Sequence, residues 1–312
     1  MNVALFGECM LELQGEAFGT MRQGFGGDTL NTAVYLARLG QARGIRASYA
    51  TGLGEDRYSD GLLQRWADEG VGTELVRRVP GRMPGLYAIE VDARGERSFS
   101  YWRDTSAAKA YFDAPETPLE ARLPVLGALY FSGISLAILP APARERLLDA
   151  AARLRAAGGR VIFDNNYRPR LWGHASEARD WFQQACRCAD IALVTADDES
   201  LLHELRGPEA ALAHCLALPC PEVVVKRGAE ATLVRLAGGA PQPVPVVPVP
   251  RVVDTTAAGD SFAGGYLAAR LAGAPAAEAA ALGNRLAAIV VQHPGAIVPR
   301  EVMQDVMAGS TG

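Results

Sequence analysis

The segment DTTAAGDSFAGGYLAARL, residues 254–271, sets two hydroxyls, two alanines, a glycine and an aspartate directly ahead of an apolar stretch with helical spacing. A helix start exposes N–H groups that have no partner within the helix and carries partial positive charge. With no large side chain at Ala257, Ala258 or Gly259, those N–H groups can surround an anionic oxygen such as that of a phosphate. Gly259 also permits a tight backbone turn. Asp260 would then stand within reach of whatever attacks that phosphate; the plain alternative is an acid that only caps the helix. A carboxylate beside a helix N-terminus is expected to stay ionised at neutral pH and so to be a weak base. In a loose phosphoryl-transfer transition state the hydroxyl proton can move late, so a weak, well-placed carboxylate suffices.

Two further groups of residues bear chemistry. In GFGGDTLN, residues 24–31, adjacent glycines allow close backbone approach, and Asp28 and Asn31 suit sugar hydroxyls; alternatively the stretch is a turn capped by Asp28. In FSYWR, Tyr101 and Arg103 alternate onto one face of a strand, with Tyr87 on its partner. FDNNYRPRLW puts Asn166 and Arg168 just after a strand. Arginine matches a carboxylate with two parallel hydrogen bonds, so two arginines beside a sugar site suggest an acidic sugar. The bland reading is that both are surface or ion-paired residues.

The elements that must position these groups alternate between strand and helix. MNVALFGE reads as a buried first strand, and GGDTLNTAVYLARLG as a helix stopped by Gly40. IRASYATGLG is a strand followed by a helix around Asp60 to Glu69. LYAIEV and RSFSYW flank DARGE as a β-hairpin. GALYFSG is a strand, and PAPARERLLDAAARLRAAGG a long helix. RVIFD, ADIALVT and EVVVKRG are short apolar strands suited to a parallel sheet covered on both faces. PQPVPVVPVPRVVD is Pro-rich and extended, an edge segment. In such sheets ligands sit beyond the carboxyl ends of the strands, where several of the residues above fall.

Composition narrows the classes. The 312 residues are 49% hydrophobic and 21% charged, with a net charge of -4, which is globular and a poor match to nucleic acid. The odd number of cysteines and the early acid of MNVALFGECMLEL point to free thiols and a cytoplasmic location without a signal peptide. No stretch is long and apolar enough for a membrane span. GxxxxGK[ST] and GxGxxG are both absent, since Arg57 stands where the third glycine after Gly52 and Gly54 would be. The four histidines (174, 203, 214, 293) look scattered, and the cysteines lack zinc-pair spacing, so no metal ligand is assigned.

DTTAAGDSF closely resembles the DTxGAGD motif of the ribokinase/PfkB family of sugar kinases, with Ala257 where glycine is common. FGGDTLNTAVYLARLG and TGLGEDRYSDGL resemble its N-terminal motif and its Gly-x-Gly-x-Asp segment. GFGGDTLNTAVYLARLG, PGLYAIE, FSYWR, SGISLAIL, FDNNYRPRLW, VVVKRGAE and DTTAAGDSF are similar, in order, to the branch acting on a keto-acid sugar. The resemblance implies a single α/β domain over residues 1–312: a ribokinase-like three-layer sandwich with a mostly parallel central sheet and a small β-sheet lid from about residues 10–26 and 82–112. It implies ATP-dependent phosphorylation of 2-keto-3-deoxygluconate at its 6-hydroxyl, with other sugar kinases of the family, or a non-catalytic sugar sensor, as alternatives. Asp260 would be the base and residues 257–260 the anion hole. Gly27, Asp28, Asn31, Tyr87, Tyr101, Arg103 and Arg168 would hold the sugar acid. Asn166, Lys226, Arg227, Gly228 and Asn284 would face the nucleotide, with Lys226 offsetting phosphate charge. Mg2+ would be held by ATP phosphates and water, because Ala196 replaces the asparagine of the family's Asn-x-x-Glu and leaves Glu199 to act only through water. A homo-oligomer through the lid edges is also expected.

Overall fold

The computed structural model describes residues 1–91 and 97–308. The expected hairpin tip DARGE, residues 92–96, lies outside the described residues.

Among the described residues, thirteen strands form two sheets. They are β1 (Asn2–Phe6), β2 (Met10–Gly15), β3 (Met21–Gly26), β4 (Arg46–Leu53), β5 (Val76–Arg78), β6 (Gly85–Val91), β7 (Arg97–Trp102), β8 (Ala128–Ser132), β9 (Arg160–Asp164), β10 (Ile191–Thr195), β11 (Glu222–Lys226), β12 (Thr232–Leu236) and β13 (Gln242–Val244). The large sheet has the order β13-β12-β11-β10-β9-β8-β1-β4-β5. It is parallel from β11 to β5, with β12 and β13 added antiparallel at one edge. The small sheet, β3-β2-β6-β7, comes from the two interruptions of the strand–helix alternation.

Side chains of a strand alternate between faces, and the large sheet uses both. On β1, Val3 and Leu5 join one apolar core while Ala4 and Phe6 join the other. The same division separates Ala128 and Tyr130 from Leu129 and Phe131 on β8. This explains the unbroken apolar runs in the sequence: each residue faces a helix layer on one side or the other. Helices Asp28–Gly40, Ala258–Arg270 and Ala276–Val290 cover the first face, and Ala141–Ala156 and Ala175–Cys188 the second.

Several boundaries differ from the sequence reading. The helix expected from Asp60 spans Arg57–Asp68, because Asp56 caps it by accepting from the N–H groups of Tyr58 and Ser59. The Gly52-x-Gly54 glycines serve packing: a Cβ on Gly52 would lie 2.1 Å from the Ala107 carbonyl oxygen, and one on Gly54 2.0 Å from that of Arg82. Residues 107–113 form a 3-10 turn whose Tyr111 and Phe112 pack on Phe6, so this stretch belongs to the main body and not to the small sheet. The Pro-rich segment supplies only edge strand β13, while the short strands β5 and β12 have no comparable signal in the sequence.

Candidate active site

The parallel strands deliver polar groups to one edge of the large sheet. Ser132 ends β8, Asp164 ends β9, Thr195 ends β10 and Lys226 ends β11. Two helices direct their N-termini at the same place, Asp28–Gly40 and Ala258–Arg270. They cross closely because Gly264 has no side chain, since a Cβ there would lie 2.5 Å from the Cβ of Tyr35. That crossing sets Asn31 Nδ2 2.8 Å from Asp260 Oδ2, and Thr32 Oγ1 3.2 Å from the Asp260 carbonyl oxygen. The result is a cleft of about 400 Å³ under the small sheet.

Ala257, Ala258, Gly259 and Asp260 all line this cleft. Ala257 is the N-cap in left-handed conformation, with φ 60° and ψ 18°. This is why glycine is common at that position, and alanine there carries roughly 1–2 kcal/mol of strain. The Ala258 N–H donates to the Thr255 carbonyl at 3.2 Å, so that donor is already engaged. The expectation that Asp260 stays ionised at neutral pH is overturned. Burial, followed by repulsion from the Asp28 carboxylate, pushes its carboxyl up to about 7. Desolvation outweighs the helix end, and Asp260 is a stronger base than the sequence suggests.

At the N-terminus of Asp28–Gly40, a Cβ on Gly27 would lie 2.2 Å from the Glu8 carbonyl oxygen, so only glycine fits. Asp28 begins its helix, and its Oδ2 accepts from Asn166 Nδ2 at 2.7 Å; burial raises its pKa. Asn31 is buried, and its Oδ1 has no hydrogen-bond partner among the described residues. Asn166 sits at φ 24°, a region asparagine tolerates, and faces Asp28. Tyr87 and Tyr101 reach the cleft from β6 and β7, their ring centres 6.0 Å apart. The Tyr87 hydroxyl donates to Glu12, so its ring is the part left to offer. Arg168 lines the cleft with half its side chain exposed, 3.5 Å from Asp198 Oδ1. Arg103 does not line it. Its guanidinium is buried against Glu8 in an ion pair, leaving Arg168 as the arginine within the cleft.

At the end of β11, Lys226 Nζ lies 2.8 Å from Asp164 Oδ2 and beside Gly259, where a Cβ would come within 3.6 Å of it. Arg227, Gly228 and Asn284 do not line the cleft. Arg227 pairs with Glu230 at 2.6 Å, and Gly228, at φ 60°, turns the chain between β11 and β12. The Asn284 amide accepts from Thr232 at 2.9 Å and donates to the Pro245 carbonyl at 3.0 Å, which clamps the sheet edge to its helix. Glu199 is absent from the cleft lining.

Sequence reasoning missed Asp164, Asp198, Ser132, Thr195 and Phe99, all at or beside the cleft. Asp164 and Thr195 end strands on the carboxyl edge, the position rule applied to Asn166. Phe99 shares the strand face of Tyr101, and their rings stack 6.3 Å apart. The histidines are not all scattered: the His203 and His214 rings lie 4.1 Å apart beside Glu199.

An α/β sheet with an acid, a cation and a helix N-terminus converging at its carboxyl edge defines a phosphotransferase-type site. Residues 1–303 match the pfkB family carbohydrate kinase profile, and the chain belongs to that family. It is 47% identical over 97% of its length and 98% of the relative's to a 2-dehydro-3-deoxygluconokinase of Escherichia coli K12. Its fold is similar to aminoimidazole riboside kinase of Salmonella enterica complexed with aminoimidazole riboside and an ATP analog. That likeness has a TM-score of 0.80 and 28% identity, covering 99% of this chain and 100% of that one. A structure from E. coli holding ATP and Mg2+ is similar with a TM-score of 0.82 and 25% identity, over 98% of each chain.

Proposed function

We propose that this chain transfers the γ-phosphoryl group of ATP to the 6-hydroxyl of 2-keto-3-deoxygluconate. The substrate is argued from the E. coli K12 relative, 47% identical over nearly the whole chain. The structural support is the partly buried carboxylate of Asp260 at the end of a helix whose N–H groups share the cleft with Lys226.

The proposed roles follow from position. The orphaned Oδ1 of Asn31 and the carboxylate of Asp28 accept from sugar hydroxyls. Arg168 meets the sugar carboxylate, and Tyr87, Phe99 and Tyr101 cover the carbon skeleton. Asp260 takes the proton of the 6-hydroxyl as that oxygen bonds to the γ-phosphorus. The bond from phosphorus to the bridging oxygen breaks, and ADP leaves with the electron pair. N–H groups of Ala257, Gly259 and Asp260, with Lys226, offset the charge of the transferring group, the Ala258 N–H being engaged with the Thr255 carbonyl. Asp164 and Asp198 give the cleft an all-oxygen donor set suited to Mg2+, through water. Bound with ATP, Mg2+ would neutralise phosphate charge.

The small sheet acts as a lid that excludes water from the cleft. No helix among the described residues is long and apolar enough to cross a membrane, and a cytoplasmic location is proposed. Trp102, 61% exposed on edge strand β7, favours pairing with a second copy, which light scattering would test. The deciding experiment for the reaction is a steady-state screen of acceptors with ATP: the gluconate- and galactonate-derived keto-acids, fructose and ribose. The keto-acids should lead in kcat/KM, and a neutral sugar in first place would sink the assignment.

A further inference from the structure

Beside the helix Ala196–His203 lies a hollow of about 480 Å³ that shares no lining residue with the cleft. Glu199 and His203 stand four residues apart on that helix and share a face. His214 arrives from the next helix, Pro208–Leu216. Glu199 Oε2 lies 3.2 Å from His214 Nε2 and 3.6 Å from His203 Nε2, and all three ligand atoms fall within 4.8 Å of one another. In a tetrahedral zinc site with bonds of about 2.0–2.1 Å, neighbouring donors are about 3.3–3.4 Å apart. The two observed distances straddle that value. The other carboxylate oxygen, Oε1, accepts from Asn165 Nδ2 at 3.0 Å, the kind of outer hydrogen bond that orients a ligating carboxylate. Glu199 is buried while both imidazoles are partly exposed, so the site has a floor and an open side.

We propose that Glu199, His203 and His214 form a binding site for a divalent transition-metal ion of the zinc class, with water completing the coordination. Two imidazoles and one carboxylate are a common three-ligand set for zinc, and they suit Mg2+ and Ca2+ poorly, because those ions prefer all-oxygen shells. The site is wired to the cleft. Asn165 Oδ1 also accepts from the backbone N–H groups of Asn166 at 2.9 Å and Thr195 at 3.0 Å, and the Asn166 side chain holds Asp28. An ion on Glu199 therefore bears on a residue that helps fix the sugar side.

Chelator-stripped full-length protein, free of nucleotide, should be titrated with Zn2+ against a chromophoric chelator. A parallel titration with Co2+ is followed by its visible absorption. One ion per chain is expected, with the intense Co2+ bands of low coordination number, undisturbed by excess Mg2+. His203→Gln and His214→Gln should each weaken binding by at least about tenfold, the loss that even outer-shell changes produce. Both positions are partly exposed, and a thermal melt checks that the variants fold. Absence of stoichiometric binding, equal binding by the variants, or displacement by Mg2+ would overturn the proposal. So would a weak, six-coordinate Co2+ spectrum of the unmodified protein, whatever the variants do.

Discussion

At the floor of the cleft, Asp28, Asp164 and Asp260 are held by Asn166, Lys226 and Asn31 at 2.7 to 2.8 Å. On the small sheet above, Phe99 and Tyr101 are 40% and 48% exposed and rest mainly on each other and on Tyr87. The floor fixes polar atoms in a dry setting, where charge is costly to place and strongly felt. The rings on the small sheet offer apolar area with little to lock them. On the proposed mechanism, precision belongs to the end where bonds would change, and adaptable cover to the end a substrate would pass.

The largest effect is expected of Asp260→Asn. It should lower kcat by about 10²–10⁴ while both KM values hold, as read by steady-state kinetics. An unchanged kcat would remove Asp260 from the mechanism. Next is Arg103→Ala, which strands the buried Glu8 carboxylate and should cost about 3–5 kcal/mol of stability in chemical denaturation. If it instead raises KM for the keto-acid with stability intact, Arg103 is a substrate ligand after all. Arg168→Ala, at a half-exposed position, should raise KM for the keto-acid about tenfold and leave neutral sugars unaffected.

The pH dependence separates floor from lid as well. Asp260 must be ionised to accept a proton, so kcat/KM should fall about tenfold per unit as pH drops below about 7. The stability sign is opposite. The folded pKa is raised from 3.8, so the contribution of Asp260 to stability is fully present below that value and is lost as pH rises to about 7. Asp260→Asn should accordingly flatten the decline in melting temperature over that window. The smallest effect is expected from Ala257→Gly, which relieves the left-handed backbone and should stabilise by up to about 1 kcal/mol, set against the chain freedom that glycine adds to the unfolded state.

How far the sequence spoke depended on the kind of signal. Strand ends such as VVVKRG and the small residues before Asp260 were legible, because local pattern and spacing carry them. The spacing in FSYWR puts Arg103 on the strand face of Tyr101, but β7 ends at Trp102, and the partner of Arg103, Glu8, lies 95 positions away with no local pattern linking the two. Resemblance puts Asn284 and Arg227 at the nucleotide, whereas in the fold the hydrogen bonds of Asn284 tie it to the sheet edge and the Glu230 pair ties Arg227 to the turn beside it. The acidity of Asp260 is hidden from the sequence for the same reason: desolvation and Asp28 act through the folded cleft, while the helix end acts within the segment itself. His203 and His214 meet only because two helices pack.

The Glu8–Arg103 pair joins the main body, just past β1, to the small sheet, just past β7. Pulling it apart would leave two charges in a dry place, a separation costing several kcal/mol. Rocking of the small sheet is therefore cheapest about an axis through this pair, like a door on its pin. Displacement then grows with distance from that pin. The β2–β3 turn around the fully exposed Phe18 should sweep widely, while Gly85, whose missing side chain makes room for both partners, stays nearly still.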